Sequence, residues 1–243
     1  MTHYLAIETA TDVCSVAVLS GEEVVIEETL TAPRSHAENL VVMIQRVLDY
    51  AGINAGELTG IAVSKGPGSY TGLRIGVSAA KGLAFSHGID LIGIPSLDAL
   101  ATNAIPLVST GDTVIAAFNS RRNEVYLGLY EAQERLAHPL AEIASLQRDE
   151  IQDFVTAHSS ADSRRVLVGE GAAFVNDCLA AATPAAAVIP VPMLMPSAGV
   201  IATMGAARHK TGLREDPGSF EPYYLNAFIP KARKKSIFDR LPF

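Results

Sequence analysis

The sequence predicts an α/β protein of two lobes, each a mixed β-sheet with helices on its faces. Apolar runs of strand length alternate with helical patterns along most of the chain. The 243 residues are enough for two lobes that each bury a core. Hydrophobic residues make up 49% of the chain and charged residues 19%, a composition that argues against intrinsic disorder.

The first lobe opens with three short apolar runs joined by tight turns, at residues 4–7, 14–19 and 24–30. This spacing predicts an antiparallel meander. A helix is predicted to begin at Ser35, where Glu38 stands at the spacing of a capping box, and to end at Gly52, a typical C-cap. A strand at 58–63, a turn rich in glycine, a helix at 71–85 and a strand at 90–94 complete this lobe.

The resulting order, β-β-β-α-β-α-β, is that of a ribonuclease H-like lobe. A second set of related order contains strands at 114–118, 124–130 and 166–169 and helices at 146–158 and 174–182. Two such lobes fit the duplicated architecture of the actin-like ATPases. We place the lobes at residues 1–104 and 105–243, and allow a final helix at 197–209 and the tail to return to the first lobe.

The glycine-rich turn, residues 64–76, follows a strand and opens a helix, an arrangement that favours anions because free N–H groups and the helix dipole point the same way. Lys65 precedes the glycines, so no P-loop is completed, and the spacing of Gly66, Gly68 and Gly72 is too wide for the dinucleotide fingerprint. The turn alone leaves a ligand loop and a plain tight turn equally open.

The helix after this turn carries a ridge of small residues at every fourth position: Gly72, Gly76, Ala80 and Ala84. Glycine within a helix costs about 0.5–1 kcal/mol relative to alanine, and close approach of another backbone is the usual compensation. The ridge predicts either a partner helix or packing against the core of this chain, and the pattern does not choose between them.

The net charge of −7 argues against autonomous binding to nucleic acid. The basic cluster of Lys231, Arg233, Lys234 and Lys235 is interpreted as a solvated tail, with contact to RNA or an acidic partner as the alternative. The two cysteines, Cys14 and Cys178, have no metal spacing. The sequence shows no signal peptide or transmembrane run, so we expect a cytoplasmic protein without membrane contact.

Five segments resemble one known family in the same order along the chain. They are residues 5–18 (LAIETA followed by CSVAV), Ser35 to Glu38, residues 66–76 (GPGSYTGLRIG), the hairpin with Arg121 and Glu124, and residues 221–225 (EPYYL). In the hairpin, Asn119 stands where an Asp is more usual. By these motifs the chain resembles the TsaB (YeaZ) family, the dimerisation subunit of the bacterial machinery that makes threonylcarbamoyladenosine beside the tRNA anticodon.

This resemblance implies an actin-like fold related to the catalytic subunit of the same machinery, TsaD. In TsaD a similar segment carries His-x-x-x-His and binds a metal, whereas this chain has Ser96 and Leu100 at those positions. Serine is a poor metal ligand and leucine is none. We therefore expect no catalytic residue and no bound metal, and a role as the non-catalytic partner of a transferase.

The resemblance also implies the partners. TsaD is expected to bind a helical interface, the ATPase TsaE and tRNA to meet only the assembled complex, and a homodimer to form when TsaD is absent. The predicted interface residues lie on the two helices of the first lobe: Val41, Gln45, Gly72, Leu73, Gly76, Val77, Ala80 and Ala84. The family's most specific motif supplies the turn residues Gly66, Pro67, Gly68, Ser69 and Thr71.

A vestigial nucleotide site, or a surface facing the complex, is expected at Glu8, Thr9, Asp12, Arg121 and Glu124, with turn capping as the alternative for Glu8 and Asp12. We expect no cofactor in the isolated subunit, and ATP or ADP with Mg²⁺ only in the complex. The rival hypothesis is an active actin-like ATPase or phosphotransferase, whose cleft would be lined by residues 169–171. A metalloprotease lacks ligands here, since none of the six histidines has metal spacing.

Overall fold

A computed structural model of the chain describes residues 1–31, 35–120, 123–179, 187–190 and 194–225. Arg121 of the predicted site and the basic cluster at 231–235 lie outside these residues. Within them, two mixed sheets with flanking helices form two lobes, as the sequence predicts.

The first sheet has the strand order β3-β2-β1-β4-β5. Its strands are β1 (His3–Glu8), β2 (Val13–Ser20), β3 (Glu23–Thr31), β4 (Gly60–Gly66) and β5 (Asp90–Pro95). Strands β1, β2 and β3 form the predicted antiparallel meander, and β4 and β5 add in parallel to β1. Because β1 and β2 are covered on both faces, they are almost entirely buried.

Helices α1 (His36–Ala51) and α2 (Tyr70–His87) cover one face of this sheet. Helix α1 ends as predicted at Gly52, which adopts the left-handed conformation with φ of 66°. Its predicted capping box is wrong, because the Ser35 side chain makes no capping hydrogen bond. His36, the first residue of α1, is buried, with Nε2 3.2 Å from the Val13 carbonyl oxygen.

Helices α3 (Ser96–Asn103) and α6 (Ala198–Lys210) lie on the opposite face of the first sheet. Helix α6 packs closely because Gly205 has no side chain: a Cβ there would overlap that of Ala62 on β4. The sequence did not predict α3. The final helix therefore contacts the first sheet, while the boundary between residues 104 and 105 stays a prediction.

The second sheet has the order β11-β10-β6-β7-β8, with β9 also paired to β7. Its strands are β6 (Thr113–Asn119), β7 (Glu124–Ala132), β8 (Ala137–Pro139), β9 (Ala144–Gln147), β10 (Arg165–Val168) and β11 (Ala187–Val188). Helices α4 (Ile151–His158) and α5 (Ala172–Leu179) pack on it. The predicted helix at 146–158 starts late because residues 144–147 pair with β7 instead.

The C-terminal segment at 212–225, which we call the strap, crosses back over the first lobe. The Glu215 N–H donates to the Leu91 carbonyl at 2.8 Å, so the strap lies along the edge strand β5. Phe220 is buried in the core beneath α1 and α2. In the described part of the chain, every helix is too short or too polar to cross a bilayer.

Candidate functional site

The glycine-rich turn packs against the end of β1. The Ser69 N–H donates to the Ala10 carbonyl at 2.6 Å, and a Cβ at Gly68 would overlap that same oxygen. The Ser69 hydroxyl caps α2 by accepting from the Gly72 N–H at 3.2 Å. The Gly66 N–H donates to the Ser96 hydroxyl at 3.1 Å. Because the fold itself uses these donors, the turn is better described as a structural joint than as an anion loop.

The C-terminal signature packs on this joint, although 150 residues separate the two motifs in sequence. The Tyr223 N–H donates to the Lys65 carbonyl at 2.6 Å. The Tyr224 ring lies 5.0 Å from the Tyr70 ring, and its hydroxyl accepts from Arg74 Nε at 3.3 Å. The Arg74 guanidinium lies 4.2 Å from the centre of the Tyr70 ring. Three segments that carry the family resemblance, residues 5–18, 66–76 and 221–225, thus meet at the N-terminal end of α2.

The small ridge of α2 faces inward, so the prediction that it forms a partner interface is wrong. A Cβ at Gly72 would overlap the Thr9 carbonyl oxygen, and one at Gly76 would overlap the Thr9 hydroxyl. The other predicted residues of this helix are also buried within the chain: Leu73, Val77, Ala80 and Ala84. The residue that closely approaches both glycines is Thr9, directly after β1 of the same lobe.

The opposite sides of α1 and α2 form an exposed apolar surface, which we call the helical face. Val41, Val42 and Phe85 are 67%, 52% and 82% exposed. The face is defined by these three residues with Gln45, Ser78 and Gly82, all of them exposed. Of the eight predicted interface residues, only Val41 and Gln45 lie on it. A second helical repeat could have identified this face: Ser78, Gly82 and Phe85 recur at helical spacing on the side of α2 away from the ridge.

Glu8 and Thr9 are buried and cannot contact a ligand between the lobes, so this part of the predicted site is wrong. Glu8 instead accepts from the Ala10 N–H at 2.6 Å and holds the turn after β1, the alternative that the sequence left open. Burial raises the pKa of Glu8 to about 7, although hydrogen bonds from Ala10, Ser64 and Thr9 oppose this shift. Asp12 remains exposed.

The turn after β10 reaches across to the first lobe. The Asp12 N–H donates to the Glu170 carboxylate, and burial, reinforced by the nearby Asp12 carboxylate, raises the pKa of Glu170. Asn119 Nδ2 donates to the Glu170 carbonyl at 3.3 Å. Two carboxylates at this junction would repel a phosphate that carries no cation. Glu124 accepts from the Ser145 hydroxyl at 2.6 Å within the second lobe.

The positions of the catalytic histidine pair lie in the core. The Ser96 hydroxyl is buried at the glycine-rich turn, and Leu100 is buried between α3 and the second sheet. Beside them, the Asp98 carboxylate accepts from the Tyr130 hydroxyl at 2.9 Å and lies 3.6 Å from the Arg208 guanidinium. Burial raises the pKa of Asp98. Among the described residues, His, Cys, Asp and Glu side chains form no cluster of three suited to a metal.

Comparison with known proteins identifies the family. The model of the family described as "TsaD: tRNA N6-adenosine threonylcarbamoyltransferase" matches residues 29–233. The TsaB protein of Buchnera aphidicola is 32% identical over 168 residues, which are 69% of this chain and 78% of that protein. The chain belongs to the TsaB (YeaZ) family. TsaB of Haemophilus influenzae is 40% identical over 123 residues, but this match spans only about half of each protein, 50% and 51% respectively.

Solved structures extend the likeness to the TsaB fold. YeaZ from Pseudomonas aeruginosa superposes with a TM-score of 0.80 and 28% identity, covering 93% of this chain and 100% of that one. A ROK hexokinase from Thermus thermophilus reaches a TM-score of 0.50 at 12% identity, covering 86% of this chain and 100% of that one. These matches confirm the actin-like fold that the sequence predicted.

Proposed function

We propose that this TsaB-family chain is a non-catalytic subunit in the synthesis of threonylcarbamoyladenosine in tRNA, and that its helical face binds the catalytic subunit TsaD. The names of the TsaB relatives support the pathway. The match to the TsaD family model supports a partner of homologous fold. One observation carries the binding role: Val41, Val42 and Phe85 are exposed together on adjacent helices, where a soluble monomer would place polar residues.

Helix packing explains how this face receives a partner. Ser78 and Gly82 are the small residues on its outward side, and they allow another helix axis to come close. Val41 and Phe85 then supply the apolar area that an interface core buries. Two helices from each subunit would form a bundle. A homodimer in the absence of TsaD uses an overlapping surface, because the same apolar residues need cover.

The residues at the site support the proposed non-catalytic role. Ser96 and Leu100 offer no metal ligands, and their side chains serve the core. In this proposal ATP or ADP with Mg²⁺, the ATPase TsaE and tRNA associate only with the assembled complex, in the cytoplasm. The rival function, an active actin-like ATPase, requires nucleotide binding by the chain alone.

The test is Phe85→Asp, examined with TsaD from the same organism. A carboxylate at the centre of an apolar interface should weaken binding by about 30-fold or more, equivalent to about 2 kcal/mol. Leu107→Asp is the matched control, because Leu107 is 49% exposed outside the two helices. Both variants should melt like the unmodified chain. Unchanged TsaD affinity and tRNA modification with Phe85→Asp would contradict the proposal, and nucleotide titration of the isolated chain tests the rival.

A further inference from the structure

The described chain ends beside the helical face. Leu225 follows Tyr224, whose ring and hydroxyl are held by Tyr70 and Arg74 on the first turns of α2. Leu225, the last described residue, therefore lies at the end of α2 from which the helical face extends.

The composition of residues 226–243, the tail, differs sharply from the rest of the protein. It holds five Lys and Arg and one Asp, a net charge of +4, so the other 225 residues carry −11 of the total of −7. Most of its basic residues form a block with large apolar residues on both sides, which are Phe228, Ile229, Ile237, Phe238, Leu241 and Phe243. Six such side chains in 18 residues are more than a solvated tail needs. A surface that covers the tail must therefore be both apolar and acidic.

The helical face is apolar and carries two exposed acids within reach of the tail. Helix α2 rises about 16 Å from Arg74 to Phe85, and 18 extended residues span up to about 60 Å. Glu38 and Asp49 flank Val41 and Val42 on α1, whereas the exposed Arg46 is already paired with Glu28 and Arg74 is held by Tyr224. RNA would satisfy the cations of the tail but would leave its aliphatic residues uncovered.

We propose that the tail binds the helical face of its own chain and competes there with TsaD. The competition, though not the contact itself, rests on the proposed function. TsaD must then displace the tail. The apparent association constant for TsaD is therefore the intrinsic constant multiplied by the fraction of molecules whose face is uncovered. Occupancy of about nine-tenths lowers the apparent affinity about tenfold. The tail thereby shields apolar surface until the partner arrives.

The contact can be tested in the full chain with a nitroxide spin label on Ser236→Cys. Cys178→Ser removes the one partly exposed native thiol, and Cys14 is buried. We expect the label to broaden the amide signals of Val41, Val42, Gly82 and Phe85. Adding Phe228→Ser and Phe238→Ser should restore these signals, whereas Ala227→Ser should not. Broadening confined to other surfaces, or none, overturns the proposal, including the case in which the tail binds only tRNA.

The competition is measured by titrating TsaD into full chains with and without Phe228→Ser and Phe238→Ser. The double variant should bind TsaD about tenfold more tightly, with Ala227→Ser as control. Equal affinities overturn the competition. If the label broadens the helical face but no chain binds TsaD there, the tail contact is supported and the proposed function is wrong. If TsaD binds the face and the label leaves it unchanged, the proposed function stands and the tail contact is wrong.

Discussion

Helix α2 presents small residues on two opposite sides, with different consequences. On the inner side, Gly72 and Gly76 touch the end of β1, and Ala80 lies in the core of the lobe. On the outer side, Ser78 and Gly82 are exposed at helical spacing from the exposed Phe85. A period of small residues thus indicates that another backbone comes close, but not which one. The glycines that mark the family stabilise the packing of α2 within its own lobe, whereas we expect the outer side, with Ser78 and Gly82, to bind the partner.

The largest expected effect comes from placing a charge on the inner side. Ala80→Arg puts a guanidinium into a fully buried position with no partner, so we expect at least about 4 kcal/mol of lost stability, and failure to fold is within this expectation. Ser78→Arg on the outer side of the same helix should change stability by less than about 0.5 kcal/mol. Urea unfolding of both variants measures the contrast. Equal stabilities would show that the two sides are not distinct.

The sequence predicted the order of elements from β1 to β5, because each strand and helix there has its own apolar period. It missed α3 and β9, since each is short and is held by neighbours distant in sequence. The sequence revealed the motifs but did not predict that they contact one another, because nothing local indicates that the Tyr223 N–H donates to the Lys65 carbonyl. The ridge left two alternatives because spacing records a helical face and not its environment.

Glu8 provides a pH-dependent test of the inner side. In the unfolded chain its pKa is near the ordinary 4.5, and in the folded chain it is about 7. Between these values the folded chain keeps a proton that the unfolded chain has lost, so stability falls as pH rises through this window. Glu8→Gln should remove that fall and stabilise the chain at pH 8 by up to about 3 kcal/mol.

Urea unfolding of Glu8→Gln from pH 4.5 to 8 checks this expectation, because the amide oxygen still accepts from the Ala10 N–H. Glu38→Gln, on the exposed start of α1, is the control. Parallel profiles of stability against pH for Glu8→Gln and the unmodified chain would show that folding does not raise the pKa of Glu8.

Gly72→Ala measures how closely β1 approaches α2. The added Cβ would overlap the Thr9 carbonyl oxygen, which is backbone and yields only if β1 or α2 shifts. Alanine is the better helix former, yet overpacking of this kind costs about 1–3 kcal/mol, so we expect net destabilisation. The measurement is the urea midpoint. A midpoint equal to or above that of the unmodified chain would show that the joint at Thr9 is not tightly packed.

Gly82→Ala is the matched change on the outer side, and its effect on stability should have the opposite sign. A Cβ at Gly82 meets nothing within 4 Å, so alanine should stabilise the free chain by about 0.5–1 kcal/mol through helix propensity alone. In the proposed complex a helix of TsaD approaches this position, where a methyl group would hold the two axes apart and weaken binding several-fold. Unfolding of the free chain and titration with TsaD separate these effects. Higher stability with unchanged affinity would show that the partner does not pack over Gly82, and would shift the contact toward Val41 on α1.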